Sequence, residues 1–143
     1  MASRLGPSLS RVLGLAHVGI AVRSLDAAIP IWVGALGFRH TDTIEFDSMK
    51  LRIAFLRGGT SELELLEPTA EDSPVGRFLA KRGEGIHHIA FHVADLEEAL
   101  EEAEAAGLTL IDRTPVKGSH GSRIAFLSPR TLGGVLVELC ERR

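Results

Sequence analysis

The chain has 143 residues, of which 45% are hydrophobic and 24% are charged, and its formal net charge is −3. This composition is typical of a globular domain. The negative net charge does not favour binding to nucleic acid or to an anionic membrane surface. No apolar run approaches the roughly 18 residues of a membrane span. The single cysteine, Cys140, excludes an internal disulfide and favours a reducing, cytoplasmic location.

The first half of the chain predicts one strand, one helix and three more strands. Residues 1–12 are expected to form a flexible tail, and a strand rich in Val and Ile is predicted over residues 13–22. Ser24 is the expected N-cap of the first helix. Three further strands complete a βαβββ module over residues 13–68.

The second half predicts the same series of elements. A linker over residues 69–84 is expected to contain a short helix near residues 74–81. The second module, residues 85–141, opens with a strand, and Asp95 is the expected N-cap of its helix. The sequence therefore predicts one α+β domain, residues 13–143, that is built from two βαβββ modules.

An internal repeat relates the two modules. The pentapeptide RIAFL occurs twice with starts 71 positions apart, and the same shift places His17 on His88. With three extra residues in the last loop, Glu64 falls on Glu138. Two segments that share one offset indicate that a single supersecondary unit is present in two copies.

Strand parity places these repeated polar residues on one face of their strands. In the first strand the bulky apolar side chains share one face, and His17 lies on the other beside small residues. His88, Glu64 and Glu138 also lie opposite the apolar face of their strands. Two imidazoles and two carboxylates at repeat-related positions suit a divalent ion such as Co, Ni, Zn, Mn or Fe.

Several longer stretches are specific to one family. Through "LAHVGIAV", "LLEPT", "GEGIHHIAF" and "GGVLVEL", the chain resembles the vicinal oxygen chelate (glyoxalase/bleomycin resistance/dioxygenase) superfamily and, within it, the methylmalonyl-CoA epimerase family. The resemblance covers nearly all of residues 13–141. It implies a cupped, eight-stranded mixed sheet around a metal site whose ligands are His17, Glu64, His88 and Glu138.

The resemblance also implies an activity. The reaction is the interconversion of (2R)- and (2S)-methylmalonyl-CoA in propionate metabolism, by proton abstraction at C2 through a metal-stabilised enolate. The implied ion is Co²⁺ ahead of Ni²⁺, Mn²⁺ or Zn²⁺, the implied partner is an acyl-CoA, and the implied assembly is a homodimer. Of the two carboxylates, Glu138 is favoured over Glu64 as the group that moves the proton.

One position departs from part of that family. Some members carry a Glu in the third strand where this chain has Ile53, and others have an aliphatic residue there. Position 53 is expected on the open site face, where Glu would add a base.

The other histidines are assigned by parity and by loop position. Parity assigns His87 to the core face and His92 to the face of His88, and His40 is expected at the surface.

Coenzyme A carries phosphates, which need basic partners. The loop "RTPVKGSHGSR" offers Lys117, His120 and Arg123 as tentative contacts. The segment "RFLAKR", in the predicted linker helix, offers three more basic residues.

Two other functions remain open at this stage. A glyoxalase I-type lyase acting on glutathione hemithioacetals shares the fold and the kind of ligand set. A metal-free member that sequesters a drug shares the fold alone.

Overall fold

A computed structural model describes residues 12–141 of the chain. The predicted tail lies outside the described residues, except for its last position. The strands are β1 (Gly14–Ala21), β2 (Arg39–Phe46), β3 (Leu51–Gly58), β4 (Ser61–Pro68), β5 (Gly85–Val93), β6 (Val116–Lys117), β7 (Arg123–Leu127) and β8 (Val137–Glu141). The α-helices are α1 (Leu25–Pro30), α2 (Pro74–Arg82) and α3 (Leu96–Ala105), and a short π-helix, Ile31–Ala35, continues α1.

The eight strands form one mixed sheet in the order β2-β3-β4-β1-β5-β8-β7-β6. Strand β1 pairs with β4, and β5 with β8, in parallel, while the neighbouring hairpin strands pair antiparallel. Each half therefore has the predicted series of strand, helix and three strands. The α+β class and the two βαβββ modules are confirmed.

The helices begin where the sequence predicted. Ser24 Oγ accepts a hydrogen bond from Ala27 N at 3.2 Å, and Asp95 Oδ1 accepts one from Glu98 N at 3.0 Å. Both bonds satisfy backbone donors that have no partner inside the first turn of a helix. The linker helix α2 follows a third N-cap, Ser73, and ends one residue beyond its predicted bound.

Residues 17–88 form one compact unit with two apolar clusters. On one sheet face, Leu25 of α1 is buried against Leu56 and Leu65. On the other face, α2 is buried against Ile53 and Leu66. Each face of this part of the sheet is thus covered by its own helix.

Residues 89–141, with the described residues 12–16, form the second unit. Its apolar cluster packs Leu96 and Leu100 of α3 against Ala125 and Leu139 of the sheet. Alternation along β7 and β8 then places Phe126 and Glu138 on the face opposite α3.

The register of strand pairing is repeated as well. Within the first unit, β1 and β4 pair so that Gly19 lies beside Glu64. Within the second, β5 and β8 pair so that Ala90 lies beside Glu138. Gly19 and Ala90 are themselves 71 positions apart (90 − 19), so each carboxylate occupies the same register position in its module.

An arginine–glutamate pair joins sheet and helix in the first unit. Arg52 Nη1 donates to Glu67 Oε1 at 3.0 Å, and Glu67 Oε2 accepts a hydrogen bond from Leu25 N at 3.1 Å. The carboxylate therefore binds the first backbone N–H of α1, where the positive end of the helix dipole stabilises its charge.

The same arrangement recurs in the second unit. Arg123 Nη1 donates to Glu141 Oε1 at 2.8 Å, and Glu141 Oε2 accepts from Leu96 N at 3.0 Å. The Leu96 N–H, followed by Arg123, holds the pKa of the Glu141 carboxyl below its ordinary value. The arginine that opens each RIAFL copy thus fixes the start of a helix against the sheet.

Candidate metal centre

The unit formed by residues 17–88 brings together three of the four predicted ligands. His17 Nδ1 lies 3.2 Å from Glu64 Oε2, and His17 Nε2 lies 3.1 Å from His88 Nε2. One ligand atom from each of the three residues lies within 4.8 Å of the others. The two imidazoles meet edge to face, with ring planes 83° apart.

The arrangement fits a divalent ion. Two nitrogens bound to one ion at about 2.1 Å, at right angles to each other, lie about 3.0 Å apart. His17 and His88 are only 9% and 4% exposed, and the Glu64 side chain is 12% exposed. Burial of two imidazoles and a carboxylate beside one another is costly for the carboxylate charge unless a cation or hydrogen bonds compensate it.

Gly19 makes room for His88 on the same sheet face. It lies two residues after His17 in β1 and has no side chain, and the His88 ring occupies the space a side chain would need. Sequence parity predicted small residues beside His17. It did not predict which side chain fills the space at Gly19.

His87 also contacts the centre. Its Nδ1 lies 3.0 Å from His88 Nδ1, and its ring meets the Phe78 ring of α2 edge to face, with centroids 5.1 Å apart. Parity alone placed His87 on the face opposite His88, so sequence reasoning missed this contact. The doublet "HH" was its only signal in the sequence.

Glu138 lies in the second unit and is 6% exposed. Cys140 Sγ donates a hydrogen bond to Glu138 Oε2 at 2.9 Å, and Cys140 is itself buried in β8. His92 pairs in register with Cys140, and among the described residues its Nδ1 is a buried side-chain atom without a hydrogen-bond partner.

The expectation for Ile53 is corrected. Register places Ile53 beside Leu66, two residues beyond Glu64, so position 53 does share the face of the carboxylate. However, Val75 and Leu79 of α2 cover that part of the face, and Ile53 is only 3% exposed. Position 53 is therefore a packed apolar site and offers no open position for a base.

The hairpin of β6 and β7 carries all three tentative coenzyme A contacts, since Lys117 pairs in register with Arg123 and the turn between the two strands holds His120. Lys117 lies in β6 and His120 in a short turn, where its φ of 54° is left-handed. Arg123 binds Glu97 and Glu141 on the α3 side of the sheet, and these carboxylates, Glu97 first, raise the pKa of its guanidinium. Its charge is already neutralised there.

His40 lies away from these groups. It is exposed and its Nε2 lies 2.6 Å from Thr43 Oγ1, which agrees with the predicted surface position.

Comparison with known proteins identifies the family. The model of the Glyoxalase/Bleomycin resistance protein/Dioxygenase superfamily matches residues 16–126. YqjC of Bacillus subtilis, an uncharacterised protein, is 47% identical over 129 residues, which are 89% of this chain and 91% of YqjC. The ethylmalonyl-CoA/methylmalonyl-CoA epimerase of Cereibacter sphaeroides is 35% identical over 127 residues, 87% of this chain and 95% of that enzyme.

A solved structure agrees with these relatives. A variant of methylmalonyl-CoA epimerase from Streptomyces coelicolor, in complex with 2-nitronate-propionyl-CoA, has a TM-score of 0.87 at 41% identity. The similarity covers 92% of this chain and 95% of that one. The chain is therefore a member of the glyoxalase/bleomycin resistance/dioxygenase superfamily, which its fold and its His and Glu residues already indicated. Within that superfamily it belongs to the methylmalonyl-CoA epimerase family.

Membership of this family confirms the prediction of an enzyme, an isomerase of the epimerase class. Among residues 12–141, no helix has both the length and the apolar character needed to cross a membrane.

Proposed function

We propose that this protein is a metal-dependent epimerase that interconverts the (2R) and (2S) forms of methylmalonyl-CoA. The observation that carries the proposal is the buried group of His17, Glu64 and His88, whose donor atoms lie within 4.8 Å of one another. The acyl-CoA ligand of a structure 41% identical to this chain supports the substrate class.

Glu138 completes the proposed ligand set. It occupies in the second module the register position that Glu64 occupies in the first, and it is more shielded from solvent than Glu64. Imidazole nitrogens and carboxylate oxygens suit Co²⁺, Ni²⁺, Mn²⁺ and Zn²⁺, and we propose Co²⁺ first. When bound, the ion would supply Lewis-acid stabilisation of the charge that develops on the substrate oxygens.

The proton at C2 is the reacting atom. In the proposed reaction a carboxylate oxygen of Glu138 takes this proton, and the electron pair of the broken C–H bond moves towards the thioester carbonyl. A proton that solvent water delivers to the opposite face of C2 gives the other epimer, and Glu138 then releases the abstracted proton to solvent, so that no net proton is consumed. Glu138 is preferred to Glu64 for this step because it follows the "GGV" turn, whose small residues leave room for the substrate, while Glu64 Oε2 contacts the ring of His17.

The basic loop is the proposed contact for the coenzyme A phosphates. Lys117 and His120 carry this role, because Arg123 is already bound by two carboxylates. His120 adopts a left-handed backbone conformation between Ser119 and Gly121, which holds its side chain in a turn rather than in a strand.

A deuterium-exchange assay tests the function. The purified protein is incubated in D₂O with methylmalonyl-CoA and, separately, ethylmalonyl-CoA, before and after chelation and after restoration of Co²⁺. The proposal predicts C2 exchange that is lost on chelation and recovered with the ion. Absence of exchange with every ion and both thioesters would overturn it.

The same preparation decides between this reaction and a glyoxalase I-type reaction, whose metal site is chemically alike. The methylglyoxal–glutathione hemithioacetal is offered in parallel, and the proposal predicts no turnover of it. We also propose a homodimer located in the cytoplasm, which light scattering of the purified protein and fractionation of the cells test separately.

A further inference from the structure

The His87–His88 contact is unusual for neighbours in a strand. Successive side chains of a strand point to opposite faces, yet these two rings lie with planes 87° apart and Nδ1 atoms separated by 3.0 Å. His88 is only 4% exposed, whereas His87 is half-buried.

The chemistry of the ligand set decides the direction of this hydrogen bond. His88 directs Nε2 at His17 Nε2, and an imidazole that binds a cation through Nε2 must keep that nitrogen deprotonated. The single proton of the neutral ring then resides on Nδ1. Nδ1–H of His88 is therefore the donor and Nδ1 of His87 the acceptor, which leaves the proton of His87 on its Nε2.

The linker helix holds His87 in place. The Phe78 ring of α2 meets the His87 ring at an interplanar angle of 75°, and the Arg82 guanidinium lies 5.8 Å from the Phe78 centroid. Phe78 in turn packs against the apolar cluster that contains Ile53 and Leu66. A continuous series of contacts thus runs from the apolar cluster beneath α2, through Phe78 and His87, to the proposed metal ligand His88.

We propose that His87 is a positioning residue that accepts the Nδ1–H of His88 and so fixes the tautomer and the orientation of that ligand. The proposal rests on the metal centre put forward above. Partners of this kind that hold a ligating histidine typically change metal affinity by about 10- to 100-fold.

Two substitutions separate hydrogen bonding from packing. His87→Asn places Oδ1 where Nδ1 lies in histidine, so it keeps an acceptor but loses the ring. His87→Phe keeps a ring beside Phe78 but loses the acceptor. The matched control is His40→Phe, because His40 is an exposed histidine of the same unit that bonds to Thr43.

Affinity for Co²⁺ and Zn²⁺ is measured by competition with a chromophoric chelator, together with the visible spectrum of the Co²⁺ form. We expect His87→Phe to weaken binding by about 10- to 100-fold, His87→Asn to stay within a few fold of wild type, and the control to be unchanged. Wild-type affinity in His87→Phe, or a loss in His87→Asn that exceeds the loss in His87→Phe, would overturn the proposal.

A second measurement reads the hydrogen bond itself. In the Zn²⁺-loaded protein, nitrogen-15 NMR of the imidazoles identifies the Nδ1–H of His88 and reports how fast that proton exchanges with solvent. We expect slow exchange in wild type and in His87→Asn, and faster exchange in His87→Phe, which offers no acceptor. If the wild type bound no divalent ion, the proposed metal centre would fail, whereas equal exchange rates in a metal-loaded wild type and His87→Phe would overturn the role of His87 alone.

Discussion

The ring of His88 lies where the side chain of residue 19 would lie if that residue were not glycine. A Cβ atom added to Gly19 would be 2.2 Å from His88 Cε1, 2.6 Å from its Nδ1 and 2.8 Å from its Nε2. Each of these distances is far below van der Waals contact, and the histidine ring is buried and cannot swing into solvent. The position of a proposed ligand thus depends on one missing methyl group in the neighbouring strand.

The first prediction follows from this contact. Gly19→Ala should displace the His88 ring and weaken Co²⁺ binding by at least about tenfold, a change comparable to loss of a partner that orients a ligand. Strand pairing should persist, since alanine is less unfavourable in a strand than the glycine it replaces. Chelator competition and circular dichroism measure the two properties on one sample.

Gly34→Ala is the control for this substitution. A Cβ at Gly34 meets no atom within 4 Å, so this variant should bind the ion as the wild type does. Unchanged metal affinity in Gly19→Ala would mean that the His88 ring can move without loss of binding. It would contradict the claim that the close approach of Gly19 determines the position of this ring.

The second prediction concerns the histidines themselves. His88→Ala and His17→Ala should each abolish tight binding of a divalent ion, because each removes one of only two neutral nitrogen ligands in the proposed set. Metal analysis after dialysis measures the loss, and His40→Ala should retain the wild-type stoichiometry. Full occupancy and activity in His88→Ala would show that the site has been misplaced.

Sequence reasoning succeeded where periodicity was sufficient. Strand parity and a fixed repeat offset placed His17, Glu64 and His88 on corresponding faces, and the structure brings these three together. The N-caps Ser24 and Asp95 were equally predictable, because capping depends on residues that are close in sequence.

Contacts between distant strands and helices could not be predicted in the same way. Covering of Ile53 by α2 depends on how the linker helix returns to the sheet, and parity carries no such information. The binding of Arg52 to Glu67 was also missed. The repeat could have revealed it, since Arg123 and Glu141 stand at the equivalent positions.

The third prediction tests the covered position. Ile53→Glu should lower the free energy of unfolding by about 3 kcal/mol or more, because it buries a carboxylate among apolar side chains without a partner. Ile31→Glu is the matched control, since Ile31 is 59% exposed. Urea denaturation compares the two, and a variant at position 53 as stable as wild type would show that α2 leaves this face open.

The fourth prediction is a pH dependence of stability. The pKa of Glu141 is lowered in the folded protein, first by the Leu96 N–H and then by Arg123, from an ordinary value of 4.5. The resulting stabilisation is complete above the ordinary pKa, and it disappears as the pH falls through the lower folded-state value. Glu141→Gln, which keeps an acceptor for Leu96 but no charge, should therefore be less stable than wild type at neutral pH.

The difference in stability between wild type and Glu141→Gln should disappear at low pH. Thermal unfolding at a series of pH values measures it, and Glu62→Gln is the control because the Glu62 pair with Arg57 is largely open to solvent. A gap between wild type and Glu141→Gln that stayed constant from neutral pH to about pH 3, below the ordinary carboxyl range, would contradict the proposed charge effect.

The last prediction separates the two carboxylates. Glutamine keeps the size of glutamate and an oxygen that can bind a cation, but it cannot take a proton at neutral pH. Glu138→Gln should therefore retain most of its metal and lose C2 deuterium exchange by at least about two orders of magnitude, the usual scale of acid–base contributions. Glu64→Gln should lose less, because the Glu64 carboxylate contacts the ring of His17 and is assigned to holding the site. Cys140→Ser keeps a donor to Glu138 Oε2 and should stay close to wild type. If Glu138→Gln exchanged the C2 deuterium at near the wild-type rate, Glu138 would be only a metal ligand, and another group would have to act as the base.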